Sequence, residues 1–153
     1  LNSPQNPIGV ILTKTDIDEL SAIVKNQDSL ILSDEVYEHL VYDGSEHHSM
    51  ARYPELRERS FITVSFGKLF HATGWKIGYC LAPANLMQEF RKIHQFLVFS
   101  VNTPMQAGIA EYLKDENVYN GLAGFFQQKR DDFREGLQQS RFKLQPSQGS
   151  YFQ

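Results

Sequence analysis

The chain has 153 residues, of which 41% are hydrophobic and 22% charged, and its formal net charge is −3. This composition is ordinary for a globular domain and excludes the basic runs that bind nucleic acid, while no apolar run approaches the ~20 residues that cross a bilayer. The single cysteine, Cys80, cannot form an internal disulfide and favours a reducing, cytoplasmic setting.

Predicted helices and strands alternate along the chain. A loop rich in proline occupies residues 2–9, and Thr13 then caps a helix predicted from about Lys14 to Asn26. Three short apolar runs, at residues 29–33, 61–65 and 77–82, are predicted strands, and further helices are predicted at about 50–59, 84–99, 104–114 and 118–139, followed by a strand at 142–144. The alternation predicts an α/β layered fold in which at least part of the sheet is parallel.

Polar residues follow two of the predicted strands at their carboxyl ends, where α/β sheets bind their ligands. Lys68 follows the second strand in a turn with Ser65 and Gly67, and Lys76 comes eight residues later. Such a turn can hold an anion, and a partly desolvated lysine beside a second cation is a usable amine nucleophile. A lone lysine is more often a solvated surface group, so the turn alone leaves both interpretations open.

Asp34 ends the first predicted strand and has two interpretations of its own. A loop or capping carboxylate is the more common one, and a partner for the protonated ring nitrogen of pyridoxal phosphate (PLP) is the other. Tyr37 would offer a phenol to the same ligand, whereas Glu35 and Glu38 are interpreted as solvated. The five histidines and one cysteine have no metal-ligand spacing, so no metal site is predicted.

Three motifs in chain order resemble those of the fold-type I, class I/II PLP-dependent aminotransferases. Residues 2–9 resemble the Asn-Pro-x-Gly loop of that family, residues 34–38 its Asp-x-x-Tyr element, and residues 65–68 with 73–79 its PLP-lysine signature. The resemblance covers essentially the whole chain, and residues 33–39, 99–104 and 149–152 look closest to the branch of bacterial methionine aminotransferases and kynurenine aminotransferases.

The resemblance implies a role for each matching residue. Lys68 would hold PLP as an aldimine and move the proton between the substrate Cα and the cofactor. Asp34 would keep the pyridine nitrogen protonated, and Asn6 and Tyr37 would hydrogen-bond the ring 3-oxygen.

The resemblance also assigns the phosphate of PLP to Ser65 and Lys76. Lys76 stands where many relatives have an arginine, and Ile8 replaces the usual Thr or Ser of the Asn-Pro loop. A lysine keeps the positive charge but loses the bidentate geometry of a guanidinium.

Members of the family are well over twice as long as this chain. Residues 1–117 are therefore expected to form the C-terminal half of the PLP-binding large domain, a three-layer α/β/α unit with a mostly parallel sheet. Residues 118–153 are expected to supply the interdomain helix and the first strand of the small α+β domain. Both ends are expected to be cut, so that the chain alone is incomplete and inactive.

The expected reaction is transfer of the amino group of methionine, or of an aromatic or bulky apolar amino acid, to a 2-oxo acid. The resemblance further implies a homodimer with Asn102 near the interface. The composition and the short apolar runs predict neither nucleic acid nor a membrane as a partner. Three alternatives share the framework: a PLP-dependent C–S β-lyase, an aminocyclopropane-carboxylate synthase, and a non-catalytic regulator domain.

Overall fold

The computed structural model describes residues 1–153. It contains seven α-helices, two short 3-10 helices and one three-stranded sheet. In chain order these are α1 (Lys14–Val24), β1 (Ile31–Asp34), a 3-10 helix (Met50–Arg52), α2 (Pro54–Arg57), β2 (Ser60–Ser65), α3 (Phe66–Leu69), a 3-10 helix (Thr73–Trp75), β3 (Gly78–Leu81), α4 (Ala84–Leu97), α5 (Thr103–Tyr112), α6 (Asn117–Asn120) and α7 (Leu122–Gly136). None of the helices is both long enough and apolar enough to cross a membrane.

The start of α1 is fixed by a reciprocal capping box. The Asp16 amide donates to the Thr13 hydroxyl oxygen at 3.2 Å, and the Thr13 amide donates to the Asp16 carboxylate at 2.7 Å. An N-cap of this kind contributes about 1 kcal/mol to helix stability. The helix predicted from Lys14 is confirmed, although it ends at Val24 rather than at Asn26.

The sheet has the order β1-β2-β3 and mixes the two kinds of pairing. β1 and β2 run parallel, and Asp34 lies opposite Thr63. β3 runs antiparallel to β2, with Ser65 opposite Gly78, because α3 and the second 3-10 helix reverse the direction of the chain between the two strands. The Phe66 amide continues the pairing by donating to the Ile77 carbonyl at 3.1 Å. The sequence predicted a mostly parallel sheet. The β1–β2 pair is parallel, but the antiparallel β3 makes the sheet of this chain mixed.

The two faces of the sheet are covered by different helices. On one face, a buried cluster joins α1, β1, β2 and the helices between them; its members are Ile17, Val24, Ile31, Met50, Leu56 and Ile62. On the other face, the ring of Phe61 lies 6.3 Å from that of Phe90 on α4. The order is thus helix, sheet, helix, as an α/β/α fold requires, but Leu32 on the second face remains 62% exposed.

Two predicted elements near the C-terminus differ from the structure. The long helix predicted over 118–139 is two helices, α6 and α7, separated at Gly121, the residue type with the lowest helix propensity apart from proline. The strand predicted at 142–144 is wrong. No neighbouring strand pairs with this segment, and the Gln145 carbonyl that follows it accepts hydrogen bonds from the side chains of Arg134 and Gln153.

Candidate active site

A cavity of about 480 Å³ opens at the carboxyl ends of the parallel strands β1 and β2. Its lining residues are Asn2, Asn6, Asp34, Val36, Tyr37, Thr63, Val64, Ser65 and Lys68. The structure thus brings together five of the six residues proposed from the sequence, which lie on three separate segments. Lys76 is the sixth and is not part of the lining.

Asp34 and Asn6 are brought together by the loop of residues 2–9, here called the site loop. The Ser3 amide and the Asn2 side-chain amide each donate to the Asp34 carbonyl at 3.1 Å, so the loop extends the sheet beside β1. The Asn6 amide in turn donates to the Asn2 side-chain oxygen at 2.8 Å. One oxygen of the Asp34 carboxylate accepts the Val36 amide at 3.2 Å.

Tyr37 is the most deeply buried of the proposed site residues, with 1% of its surface exposed. Burial, followed by the hydroxyl of Tyr151 and the charge of Asp34, raises the pKa of Tyr37 well above its usual value, while Asn6 acts in the opposite direction. The phenol therefore stays protonated at neutral pH. It is a neutral hydrogen-bond donor at the wall of the cavity.

Ser65 and Lys68 reach the cavity because β2 ends where the short helix α3 begins. Ser65 is the last residue of β2, and Lys68 lies half-buried within α3. Gly67 lets the chain turn here: a Cβ at this position would lie 2.8 Å from the Thr73 backbone, closer than real contacts allow. The lysines that form ion pairs are Lys14, Lys92 and Lys114, so the amine of Lys68 is not committed to a carboxylate.

Lys76 lies close to the same strand end but on the surface. It caps the 3-10 helix of residues 73–75 in a left-handed conformation, with φ of 57°, and is exposed. Two residues later, Gly78 pairs with Ser65. A non-glycine residue in this conformation costs of order 1 kcal/mol or more, and such residues cluster at functional sites.

Glu35 is buried, whereas the sequence was interpreted as placing it in solvent, and that interpretation is wrong. Its carboxylate is 1% exposed and accepts hydrogen bonds from the Ser33 hydroxyl at 2.9 Å and the Met50 amide at 3.0 Å, while His47 Nε2 lies 3.0 Å from the second oxygen. Burial alone raises the pKa of Glu35, but hydrogen bonds led by that of His47 outweigh it and hold the pKa below its usual value. The alternating burial that starts in β1 could have indicated this, because Ile31, Ser33 and Glu35 are two residues apart and are all buried.

Glu38 also differs from its interpretation as a solvated group. It is partly buried and accepts a hydrogen bond from the Tyr79 hydroxyl at 2.7 Å. Ligand atoms of Glu35, Glu38 and His47 lie within 4.8 Å of one another. The hydrogen bond between Glu35 and His47 accounts for the closeness of those two side chains, and the Glu38 carboxylate is already the acceptor of the Tyr79 hydroxyl.

The groups around the cavity are complementary to a small, charged, aromatic ligand that carries an aldehyde. An amine can form a covalent bond with the carbonyl carbon, and a carboxylate can hold a proton on a ring nitrogen. A phenol and an amide can donate to a ring oxygen, and a hydroxyl next to a helix start can bind an anion. Lys68, Asp34, Tyr37, Asn6 and Ser65 supply these groups in that order.

Comparison with known sequences identifies the same family from a family model and from individual relatives. The family model described as aminotransferase class I and II matches residues 1–153. A methionine aminotransferase of Escherichia coli is 43% identical over 153 residues, which is 99% of this chain and 40% of the relative. A kynurenine–oxoglutarate transaminase of Dictyostelium discoideum is 38% identical over 157 residues, covering 99% of this chain and 36% of the relative.

Solved structures agree with the sequences. A crystal structure from Escherichia coli, identified with a methionine aminotransferase function, superposes with a TM-score of 0.95 at 42% identity, over 98% of this chain and 40% of that one. N-succinyldiaminopimelate aminotransferase from Mycobacterium tuberculosis superposes with a TM-score of 0.93 at 34% identity, over 99% of this chain and 40% of that one. The expected α/β aminotransferase fold is confirmed, and the chain spans about 40% of the length of these relatives. The chain belongs to the class I and II aminotransferases.

Proposed function

We propose that these residues are part of an enzyme that transfers an amino group from methionine, or from an aromatic or bulky apolar amino acid, to a 2-oxo acid. The family is PLP-dependent, and the names of the most similar relatives include methionine and kynurenine aminotransferases. Because the chain spans about 40% of their length, the activity is proposed for a protein of that length containing these residues, called below the full-length protein.

The observation that carries the proposal is the shared cavity. The lining offers an amine, a carboxylate, a phenol, an amide and a hydroxyl, which match the aldehyde, ring nitrogen, ring oxygen and phosphate of PLP. When bound, PLP supplies an electron sink for the charge that develops at the substrate Cα. Both the donor set and its place at the strand ends fit this cofactor.

Each residue then has one task. Asp34 holds a proton on the ring nitrogen, so that the ring stays positively charged. Tyr37 and Asn6 donate to the ring oxygen. Lys68 holds the cofactor through its aldehyde and, once the substrate amine has replaced it, removes and returns the proton at Cα. Ser65 binds the phosphate.

Lys76 is proposed as the second phosphate ligand. Its support is local: Gly78, two residues later, pairs with Ser65 at the same strand end. Its ammonium would add charge without fixed geometry, since it lacks the planar fork of an arginine. A surface position suits a group that closes over the ligand from outside the cavity.

A cytoplasmic homodimer is part of the proposal. The end of α4 and the residues after it expose Phe96 and Phe99 at 85% and 82% of their surfaces, just before Asn102. Exposed aromatic groups of this size mark surfaces that another chain or segment covers. The lone Cys80 favours a reducing compartment.

Chemical labelling tests the assignment of the lysine. Borohydride reduction of the full-length protein with PLP, followed by peptide mapping, should place the pyridoxyl group on Lys68. Lys68→Ala should abolish the label and the visible absorbance of the bound cofactor, whereas Lys143→Ala, at an exposed loop position, should change neither. A label on Lys76 or on any other lysine would overturn the assignment.

Product analysis separates transamination from the alternatives on the same framework. The full-length protein should consume methionine only when a 2-oxo acid is present, with equal amounts of new amino acid formed. Release of pyruvate and ammonia would indicate a β-lyase instead. A preference for aspartate or glutamate over methionine by ~100-fold, or ~2.7 kcal/mol, would overturn the proposed substrate class.

A further inference from the structure

The segment of residues 147–152, here called the clasp, is fastened to the site loop. The amides of Gln148 and Gly149 both donate to the Gly9 carbonyl, at 2.8 and 2.9 Å. Gly9 has φ of 75°, and a Cβ there would lie 2.2 Å from the Ser147 hydroxyl. Only glycine fits this contact, so the close packing of the clasp against the site loop depends on Gly9.

The clasp is also fastened to the chain that follows Tyr37. The Ser150 amide donates to the Leu40 carbonyl at 3.0 Å, and the Tyr42 amide donates to the Gln148 carbonyl at 2.9 Å. The Tyr42 hydroxyl donates to the Ser150 carbonyl. The clasp therefore joins the site loop to the chain that directly follows Tyr37, two segments that are far apart in the sequence.

These bonds bring the aromatic end of the clasp onto Tyr37. The ring of Tyr37 lies 5.2 Å from that of Tyr151 and 6.1 Å from that of Phe152, in both cases nearly perpendicular. The ring of Tyr151 also packs on α7, 5.6 Å from the ring of Phe126. Edge-to-face pairs at such distances are favourable beyond the burial of their area, so the position of Tyr37 depends on the clasp.

We propose that Tyr151 is a positioning residue of the active site, whose ring and hydroxyl hold the phenol of Tyr37, a hydrogen-bond donor, in place at the wall of the cavity. Tyr151 does not line the cavity itself, so it acts through Tyr37. The titratable groups around Tyr37 are Tyr151, Asp34 and, in the lining of the same cavity, Lys68. The inference rests on the proposed function only in naming PLP as the acceptor of this donor.

The electrostatics of Tyr37 support the geometry. After burial, the Tyr151 hydroxyl is the next contributor that raises the pKa of Tyr37. Removing this hydroxyl while keeping the ring should therefore lower the pKa of Tyr37 without disturbing the packing. Tyr151→Phe is that change.

A fluorinated tyrosine makes the effect measurable without the cofactor. In the full-length protein with 3,5-difluorotyrosine at position 37, the more acidic phenol titrates while the protein remains folded, and fluorine NMR follows it. Tyr151→Phe should lower the apparent pKa at position 37 by ~0.5 to 1 unit, the equivalent of one hydrogen bond. Tyr112→Phe, which alters an exposed tyrosine, should leave it unchanged. An equal pKa with and without the Tyr151 hydroxyl would overturn the inference.

A second measurement uses the cofactor-loaded protein. The pH midpoint of the visible absorbance should fall in Tyr151→Phe, because the single proton of the Tyr37 phenol then has no competing acceptor and is donated to the ring oxygen alone. In a Tyr37→Phe background the same change should have no further effect. Additive effects of the two changes would contradict an action through Tyr37.

The two measurements separate the inference from the proposed function. If the pKa at position 37 shifts but the parent protein develops no visible absorbance with PLP, the proposed function fails and the positioning role of Tyr151 stands. If the absorbance is normal and Tyr151→Phe moves neither titration, the proposed function stands and the positioning role fails.

Discussion

Replacing Glu35 by alanine should destabilise the full-length protein by about 2–6 kcal/mol, the cost of two unsatisfied donors. The change leaves three partners without their acceptor: the Ser33 hydroxyl, the Met50 amide and His47. The hydroxyl can rotate toward another acceptor, but the other two remain buried, and each unsatisfied donor costs about 1–3 kcal/mol. Two such donors give a cost of about 2–6 kcal/mol, which is a large fraction of a typical stability of about 5–15 kcal/mol.

Urea unfolding at pH 7 measures this cost as a lower midpoint at an unchanged slope. Glu135→Ala, at an exposed position of α7, is the matched control and should change the free energy of unfolding by less than ~0.5 kcal/mol. A loss below ~1 kcal/mol for Glu35→Ala would refute the reasoning, because it would mean that the buried donors find other partners.

The pH dependence of the Glu35 contribution has a definite sign. Its pKa is lowered in the folded state from an ordinary value of 4.5. Its ionised form therefore contributes stability that is fully present above pH 4.5 and is lost as the pH falls through the lower folded value. The difference in stability between the parent and Glu35→Gln should accordingly shrink between pH 5 and pH 3. A difference that grows toward low pH would contradict the lowered pKa.

Three further predictions concern the site and its supports. Asp34→Asn should lower kcat by ~100-fold or more at an unchanged folded fraction, because an amide cannot hold the proton on the ring nitrogen. Glu35→Gln should lower kcat far less, and equal losses for the two variants in steady-state assays would argue against the assignment. Gly78→Ala should cost more than ~2 kcal/mol in urea unfolding, because a Cβ there would lie 2.2 Å from the Val64 carbonyl oxygen. The 153-residue chain by itself should bind PLP weakly and show no turnover with methionine and a 2-oxo acid, whereas rates near those of an intact aminotransferase would show that no further residues are needed.

The features that the sequence predicts well are those set by local patterns. Apolar runs placed β1 and β2, and the polar residues at their ends, Asp34 and Ser65, do lie at one cavity. This works because the carboxyl ends of two parallel strands meet at the same edge of a sheet. Composition and spacing alone left Asp34 and Lys68 ambiguous, and only the resemblance to a family separated the two interpretations.

The features that were missed depend on partners distant in the sequence. The strand predicted at 142–144 has apolar residues but no neighbouring strand to bond with. Tyr151 gave no local signal either, since its contact with Tyr37 spans more than one hundred positions. Glu35 was misjudged because a charged residue is exposed by default. The groups that satisfy it, His47 and the Met50 amide, lie on a later loop and at the start of the 3-10 helix that follows that loop.

The alternation of β1 links the stability of the fold to the chemistry of the site. Successive side chains of a strand point to opposite faces, so Asp34 lines the cavity while Glu35, the next residue, is buried among hydrogen bonds on the core side. The buried carboxylate fixes the backbone from which the cavity carboxylate extends. Loss of Glu35 should therefore reduce activity through the fraction of protein that is folded, whereas loss of Asp34 should reduce the rate of each folded molecule. Because Glu35 acts on the folded fraction and Asp34 on the rate of the folded enzyme, only rates normalised to the amount of folded protein distinguish the two residues.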